Sequence, residues 1–343
     1  MKALFWKGGD DFEIGRVEKP VPGNNQVLVR MNHAVICGSD FHLADFGAVP
    51  PVIPGHEGAG IIEETGPGTD SDRIGQRVAL NPVQVCGVCS SCSGGIPHLC
   101  LETRHLGEPG SPGCWAEYVA IDAVNAVPVP PAVSMENAAL SEPCAVCYES
   151  FLRYSGGNLE AVRGKNILII GDGPFGFLHA MLGTALKAGR ILVLGHHDAR
   201  LDRIREHTKA ESLNTSQKKP ADFIKKVLPE GVDLVIEATG SGHTPDMGIK
   251  YLKPRGTLII FSYIWNPEPV NMGLIHMKEL NVLGSCRSLE SFHPVLKLMG
   301  EEKIEPAVML DGIFPLHKAE SAFLKLSNER DTVFKCGFHF DNV

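Results

Sequence analysis

Cys86, Cys89, Cys92 and Cys100 form the pattern C-x2-C-x2-C-x7-C within CGVCSSCSGGIPHLC, so four thiols fall within fifteen residues. Four thiolates at about 2.3 Å can close a tetrahedron around one Zn²⁺, and the small, turn-forming residues between them let the loop fold round the ion. With every position taken by protein, such a site is structural and not catalytic. The spacing is too compressed for a zinc ribbon, whose C-x2-C pairs lie about 15–20 residues apart. Ligand type alone also admits an iron–sulfur cluster. A second set is dispersed: Cys37 in ICGSDFH, His56 and Glu57 in PGHEGAG, and Glu142 in ALSEPCAVC. Singly these are ordinary core or turn residues. Together they offer a thiolate, an imidazole and two carboxylates, from which a catalytic zinc would take three ligands and keep one exchangeable position.

A third constellation is GDGPFG (171–176), a match to G-x-G-x-x-G that follows the apolar run NILII and opens a helical pattern, the context this motif requires. Gly171 permits the tight turn, Gly173 lets the backbone approach a pyrophosphate, and Gly176 lets helix and strand pack closely. The helix start offers unsatisfied N–H groups and a positive dipole end to the phosphates. Pro174 and Phe175 of the same loop, and Thr239 in VDLVIEATG, are counted with the cofactor contacts. An acid about 20 residues further on would bond the ribose 2′-OH of NAD. In RILVLGHHDARLDRI that place is held by Gly195, followed by His196, His197 and Arg200. Gly195 removes the repelling charge and makes room, and Arg200 with either imidazole suits a dianionic phosphate. NADP is therefore favoured over NAD. Asp198 argues the other way if the loop brings it to the ribose.

CGSD, PGHEGAG, the four-cysteine lobe, CWAEYV (114–119), SEP and GDGPFG occur in that order over nearly the whole chain. In this the sequence resembles the zinc-containing medium-chain dehydrogenase/reductase superfamily, and within it the polyol, cyclitol and sugar dehydrogenases. The resemblance implies a GroES-like β-rich catalytic domain joined to a Rossmann domain. It implies that Cys37, His56 and Glu142 hold a catalytic zinc, with Glu57 beside it as a carboxylate that exchanges with bound water. Asp40 would fix the His56 tautomer. Ser39 would begin, and His42 end, a proton relay from the substrate hydroxyl through the nicotinamide ribose. Glu142 points to polyols, since the simple alcohol dehydrogenases carry Cys there. Two departures stand out. Cys144 and Cys147 lie close enough in sequence to replace Glu142 as ligand, and Leu43 follows His42 where many polyol enzymes have Tyr. Phe46, Arg104, Glu117, Cys286 and Arg287 are candidate substrate contacts.

The elements that must position these residues divide the chain in two. Up to about residue 150 it is β-rich: QVLVRMNHAVI (26–36) alternates, and Gly and Pro recur at short intervals, as in a barrel or sandwich. From there NILII (166–170), RILVLG, VDLVIEATG (232–240), GTLIIFSY (256–263) and LNVLGS (280–285) are short apolar runs separated by helical patterns, the signature of a parallel sheet covered on both faces. The expected division is a catalytic domain over 1–148 and 286–343, with a zinc lobe at about 84–103, and a dinucleotide domain over 149–285. GTLIIFSY and LNVLGS are read as edge strands suited to joining a homo-oligomer, a dimer or tetramer.

Composition removes other classes. With 343 residues, 43% hydrophobic and 21% charged, the chain is globular and long enough for two domains. Its formal charge of -8 argues against nucleic-acid binding, which needs a basic face. No apolar run has membrane-span length, and MKALFWKGGDDFEI has no signal-peptide core. A cytoplasmic enzyme is expected, oxidising a secondary alcohol of a polyol, cyclitol or sugar with two zinc ions and a nicotinamide cofactor. The competing readings are an NAD-dependent dehydrogenase of simple alcohols and a non-enzymatic zinc-binding module.

Overall fold

Strands Ile167–Ile170, Ile191–Gly195 and Val232–Glu237 are almost wholly apolar and buried along their length, so each must be covered on both faces. In the computed structural model, which describes residues 1–340, they form the centre of a six-stranded parallel sheet. Its order is Glu211–Asn214, Ile191–Gly195, Ile167–Ile170, Val232–Glu237, Leu252–Ile260 and Asn281–Gly284. This is the doubly wound order, with the reversal at Ile167–Ile170, and ligands bind beyond the carboxyl ends of strands at such a reversal. GDGPFG leaves that strand. Leu252–Ile260, expected at an edge, is interior: it pairs with Val232–Glu237 on one side and Asn281–Gly284 on the other. Only the latter, with Glu211–Asn214, ends the sheet.

These strands belong to one of two compact units, Val146–Cys286; the other comprises Met1–Ala145 and the chain from Arg287. The second unit is built on a mixed sheet ordered Leu310–Pro315, Lys335–His339, Gln26–Val35, Glu57–Thr65, Arg77–Leu80 and Ala126–Pro128, with Tyr118–Asp122 also paired to Gln26–Val35. Met31, Ile62, Trp115 and Phe338 are among its fully buried side chains. Register explains the site. Val35 lies opposite Glu57 on one side and Gly337 on the other. Cys37, two residues past Val35, and Lys335, two residues before Gly337, therefore come to the same end of the sheet as Glu57. A short pair, Val83–Gln84 with Arg104–His105, carries the cysteine lobe between its strands. No helix among the described residues is long and apolar enough to cross a membrane.

His179 in helix Pro174–Ala185 is expected to make the stability of the parallel-sheet unit depend on pH. It is fully buried, with Nδ1 2.7 Å from the Phe175 carbonyl and Nε2 3.2 Å from the Ser150 hydroxyl. Both contacts suit a neutral ring that donates from Nδ1 and accepts at Nε2. Burial pushes its pKa down to about 4, against an opposing pull from the Phe175 carbonyl. The unfolded chain takes up this proton near pH 6.5 and the folded chain near 4, so the stability held above 6.5 is lost as pH falls between the two. The loss should be about 3 kcal/mol. Urea unfolding at a series of pH values should show this slope in the native protein and a shallower one in His179→Gln.

Candidate functional site

Cys37 is the residue at which strand Gln26–Val35 gives way to the 3-10 turn Gly38–Phe41. Its N–H donates to Asp40 Oδ2 at 2.9 Å, and its carbonyl accepts from the Asp40 N–H at 3.1 Å. The other Asp40 oxygen lies 3.3 Å from His56 Nδ1. One buried carboxylate thus fixes both the cysteine loop and the imidazole, leaving Nε2 of His56 as the nitrogen available to a metal. Burial disfavours a charged His56 ring, but Asp40 and then Cys37 outweigh it and hold its pKa well above the ordinary value. Ligand atoms of Cys37, His56 and Glu57 all lie within 4.8 Å of one another.

Glu57, the first residue of strand Glu57–Thr65, is fully buried, and both its oxygens accept from Lys335 Nζ, at 2.8 and 2.7 Å. Lys335, 3% exposed, also donates to the Ile36 carbonyl at 3.1 Å. Glu142 opens helix Ser141–Ser155 and stands outside the 4.8 Å group. It is near enough to feel it: burial raises its pKa to about 7, with His56 and Lys335 pulling down and Glu57 and Asp40 pushing up. Cys144 and Cys147 are not in the group either. Burial pushes the Cys144 thiol far up, and the Cys147 thiol faces the Phe175 carbonyl at 3.9 Å. Ser39 is half-buried in the same turn as Asp40, while His42 is exposed, with Nδ1 2.9 Å from Asp45. Leu43 is buried with Trp6 and Ala48.

Of the guessed substrate contacts, Arg104 is an exposed residue 3.6 Å from Asp122, and Glu117 accepts from the Lys2 N–H at 2.7 Å. Neither reaches the Cys37 group. His105 does, with its ring centroid 5.3 Å from that of His56. Burial, then His56 and Arg287, hold it neutral, well below the ordinary imidazole value. No spacing rule singles it out.

In the lobe the four thiols of Cys86, Cys89, Cys92 and Cys100 converge, with Sγ separations of 3.5 to 4.0 Å. A tetrahedron with 2.3 Å zinc–sulfur bonds has edges of about 3.8 Å. Backbone N–H groups of Cys86 and Glu102 point at Cys100 Sγ, and that of Cys89 at Cys86 Sγ, each at 3.3 Å. Such donors favour thiolates, and backbone hydrogen bonds lower the Cys89 thiol to about 6. The donor set and its spacing fit zinc. No disulfide joins any of the ten cysteines.

At the glycine-rich loop, Gly171 has φ +128°, and a Cβ on Gly176 would fall 2.0 Å from the Gly171 carbonyl oxygen. A Cβ on Gly173 would meet nothing within 4 Å, so the loop is open where a phosphate would approach. Helix Pro174–Ala185 begins there, with Pro174 and Phe175 in its first turn. The loop walls a cavity of about 430 Å³ shared with Gly195, His196, Arg200, Thr215 and Thr239. Thr239 is placed by a residue the motifs missed: the fully buried Glu237 accepts from the N–H groups of Thr239 and Gly240 and the hydroxyl of Thr244. A lone acid ending an apolar strand was its signal.

Gly195 corrects the sequence reading. It does not leave room, because the space beside it holds the Asp172 side chain. The two histidines are turned onto the protein: His196 Nδ1 lies 2.8 Å from the Thr215 hydroxyl and His197 Nδ1 3.1 Å from Asp172. Asp198 is held by Asn214 at 2.9 Å and Gln217 at 2.7 Å and does not line the cavity.

Residues 23–131 match the family described as Alcohol dehydrogenase GroES-like domain, and residues 174–301 that described as Zinc-binding dehydrogenase. The chain is 28% identical over 330 residues to a sorbitol dehydrogenase of Bombyx mori, covering 93% of each. Its structure superposes with a TM-score of 0.91 and 26% identity on a short chain alcohol dehydrogenase of Escherichia coli CFT073 solved with NADH, over 99% of both chains. It also superposes, at 0.86 and 25% identity over 98% of both, on a candidate zinc-binding dehydrogenase of Sinorhizobium meliloti 1021 bound to NADP. With these matches following one another along the chain, and a zinc-type donor set in one unit and a dinucleotide loop in the other, the chain belongs to the zinc-dependent alcohol and polyol dehydrogenases of the medium-chain dehydrogenase/reductase superfamily.

Proposed function

We propose that the chain oxidises a secondary alcohol of a polyol, cyclitol or sugar, with Cys37 and His56 as the fixed ligands of a catalytic zinc and Glu142 as the third. The observation that carries the Cys37 and His56 assignment is the convergence of their donor atoms with Glu57 within 4.8 Å, Asp40 orienting the imidazole, while Glu142 as third ligand rests on the family resemblance and on its buried place within electrostatic reach of His56 and Glu57. When bound, the zinc supplies a Lewis acid that lowers the pKa of the substrate hydroxyl. Glu57, held by Lys335, is a reserve carboxylate beside it. Ser39 takes the hydroxyl proton first and His42, at the surface, last. His105, kept neutral, stands beside His56. Gly171, Gly173 and the start of helix Pro174–Ala185 bind the pyrophosphate through backbone N–H groups. The balance is alcohol and oxidised cofactor to ketone, reduced cofactor and one proton. The four-cysteine lobe holds the second zinc. The exposed edge strand Asn281–Gly284 supports a homo-oligomer in which it meets its copy.

The test combines metal analysis with a turnover panel. Two zinc equivalents per chain are expected, one removed readily by a chelator and one retained by the lobe. Polyols, cyclitols, aldoses and simple alcohols, each with NAD and NADP, should show nicotinamide reduction with the first three classes above the fourth. Turnover of simple alcohols alone would overturn the polyol reading. A single zinc per chain would overturn the two-site reading.

A further inference from the structure

The strand Ile191–Gly195 ends where the dinucleotide fold ordinarily carries a ribose-binding acid, and here the position is glycine. A Cβ at Gly195 would lie 2.3 Å from Asp172 Oδ2, 2.4 Å from its Cβ and 2.5 Å from its Cγ. No side chain fits there while Asp172 is present, so the glycine is a steric requirement of Asp172. The carboxylate has not been lost from this corner. It enters from the glycine-rich loop instead of from the second strand.

Asp172 is held in place. It is 6% exposed, and Oδ2 accepts from the N–H groups of His196 at 2.6 Å and His197 at 2.8 Å. The His197 ring reaches both oxygens, at 3.1 and 3.2 Å. Three of these contacts fall on Oδ2 and one on Oδ1, and a carboxylate oxygen has two lone pairs. Asp172 lines the same cavity as Gly171, Gly173, Arg200 and Thr215. A ribose hydroxyl there has an acceptor already oriented for it. A 2′-phosphate there meets a fixed anion, and like charges brought together strongly disfavour the wrong partner.

We propose that Asp172 is the carboxylate that reads the adenosine ribose, in place of an acid on the second strand, and that it selects NAD over NADP. Arg200 lines the same cavity and is the opposing group, which the 2′-phosphate titration below weighs against Asp172. The inference rests on the reading of this loop as a nicotinamide-dinucleotide site.

Calorimetric titration of the zinc-loaded full chain with ADP-ribose and with 2′-phospho-ADP-ribose tests it without turnover. The native protein should bind ADP-ribose roughly tenfold more tightly than its 2′-phosphate. Asp172→Asn should weaken ADP-ribose and bring the ratio to about one or reverse it. Asp172→Ala combined with Gly195→Asp returns the carboxylate to the strand end and should restore the preference, even if the single variant disturbs the loop. Equal or tighter binding of the 2′-phosphate by the native protein would overturn the inference. So would an equal loss for both ligands in Asp172→Asn followed by no recovery in the double variant, which would leave Asp172 as a brace for the loop. Failure of the native protein to bind either ligand would remove the dinucleotide reading itself, and this inference with it.

Discussion

Cys37→Ser is expected to lower kcat by on the order of 10³-fold or more while leaving the fold intact. A serine hydroxyl is slightly smaller than the thiol and does not ionise as a thiol does, so one of the two fixed ligands proposed for the catalytic zinc is lost. Lewis-acid polarisation supplies several kcal/mol of transition-state stabilisation, and each 1.36 kcal/mol is tenfold in rate. The substitution removes little side-chain volume and keeps the Cys37 N–H that Asp40 receives at 2.9 Å. Unfolding of the chelator-treated protein should therefore shift by no more than about 1 kcal/mol. Zinc content should fall by one equivalent, the lobe keeping its own. Binding of ADP-ribose should be unchanged, because every residue of that site lies in the other unit. Asp40→Asn should be milder, about 10–100-fold in zinc affinity or turnover, since it disturbs the ligand's orientation and not the ligand. Full activity in Cys37→Ser would overturn the zinc assignment.

Local features were legible in the sequence. The cysteine lobe and the glycine-rich loop are fixed by spacings of a few residues, and the parallel strands show as apolar runs because both their faces are covered. What depends on distant pairing was not. Lys335 binds Glu57 across 278 positions of chain, and only a lone lysine inside VFKCGF hinted at a buried charge. Strand Leu252–Ile260 looked like an edge because sheet order is not written in a strand's own composition. Asp172 carries no signal in the sequence because it occupies a variable position of G-x-G-x-x-G, where side-chain direction is set by the turn and not by the motif. In sequence, Gly195 accordingly looks like empty space, whereas in the structure it is the complement of a neighbouring side chain.

Lys335→Ala should be strongly destabilising for the sheet that carries Cys37. Burial opposes a charged lysine, yet Glu57, Cys37 and Glu142 outweigh it and raise the Lys335 pKa. Removing the ammonium leaves Glu57, fully buried, without the donor that meets both its oxygens. Breaking one side of a buried ion pair costs about 3–5 kcal/mol, equivalent to a fall in Tm of roughly 10 °C. The double variant Glu57→Gln, Lys335→Met removes both charges at similar volume. It should recover much of the loss, because replacing a whole buried pair is far less costly than breaking it. Metal should couple to the single variant. A Glu57 released from Lys335 is a better ligand for a cation beside Cys37 and His56, and binding to the folded state alone stabilises it by mass action. Lys335→Ala should therefore lose less stability in zinc-saturated protein than in chelator-treated protein, whereas the double variant should show no such difference. Urea unfolding with and without zinc checks both. An equal loss for Lys335→Ala in the two conditions would mean that Glu57 serves the packing of the sheet and takes no part in holding the metal.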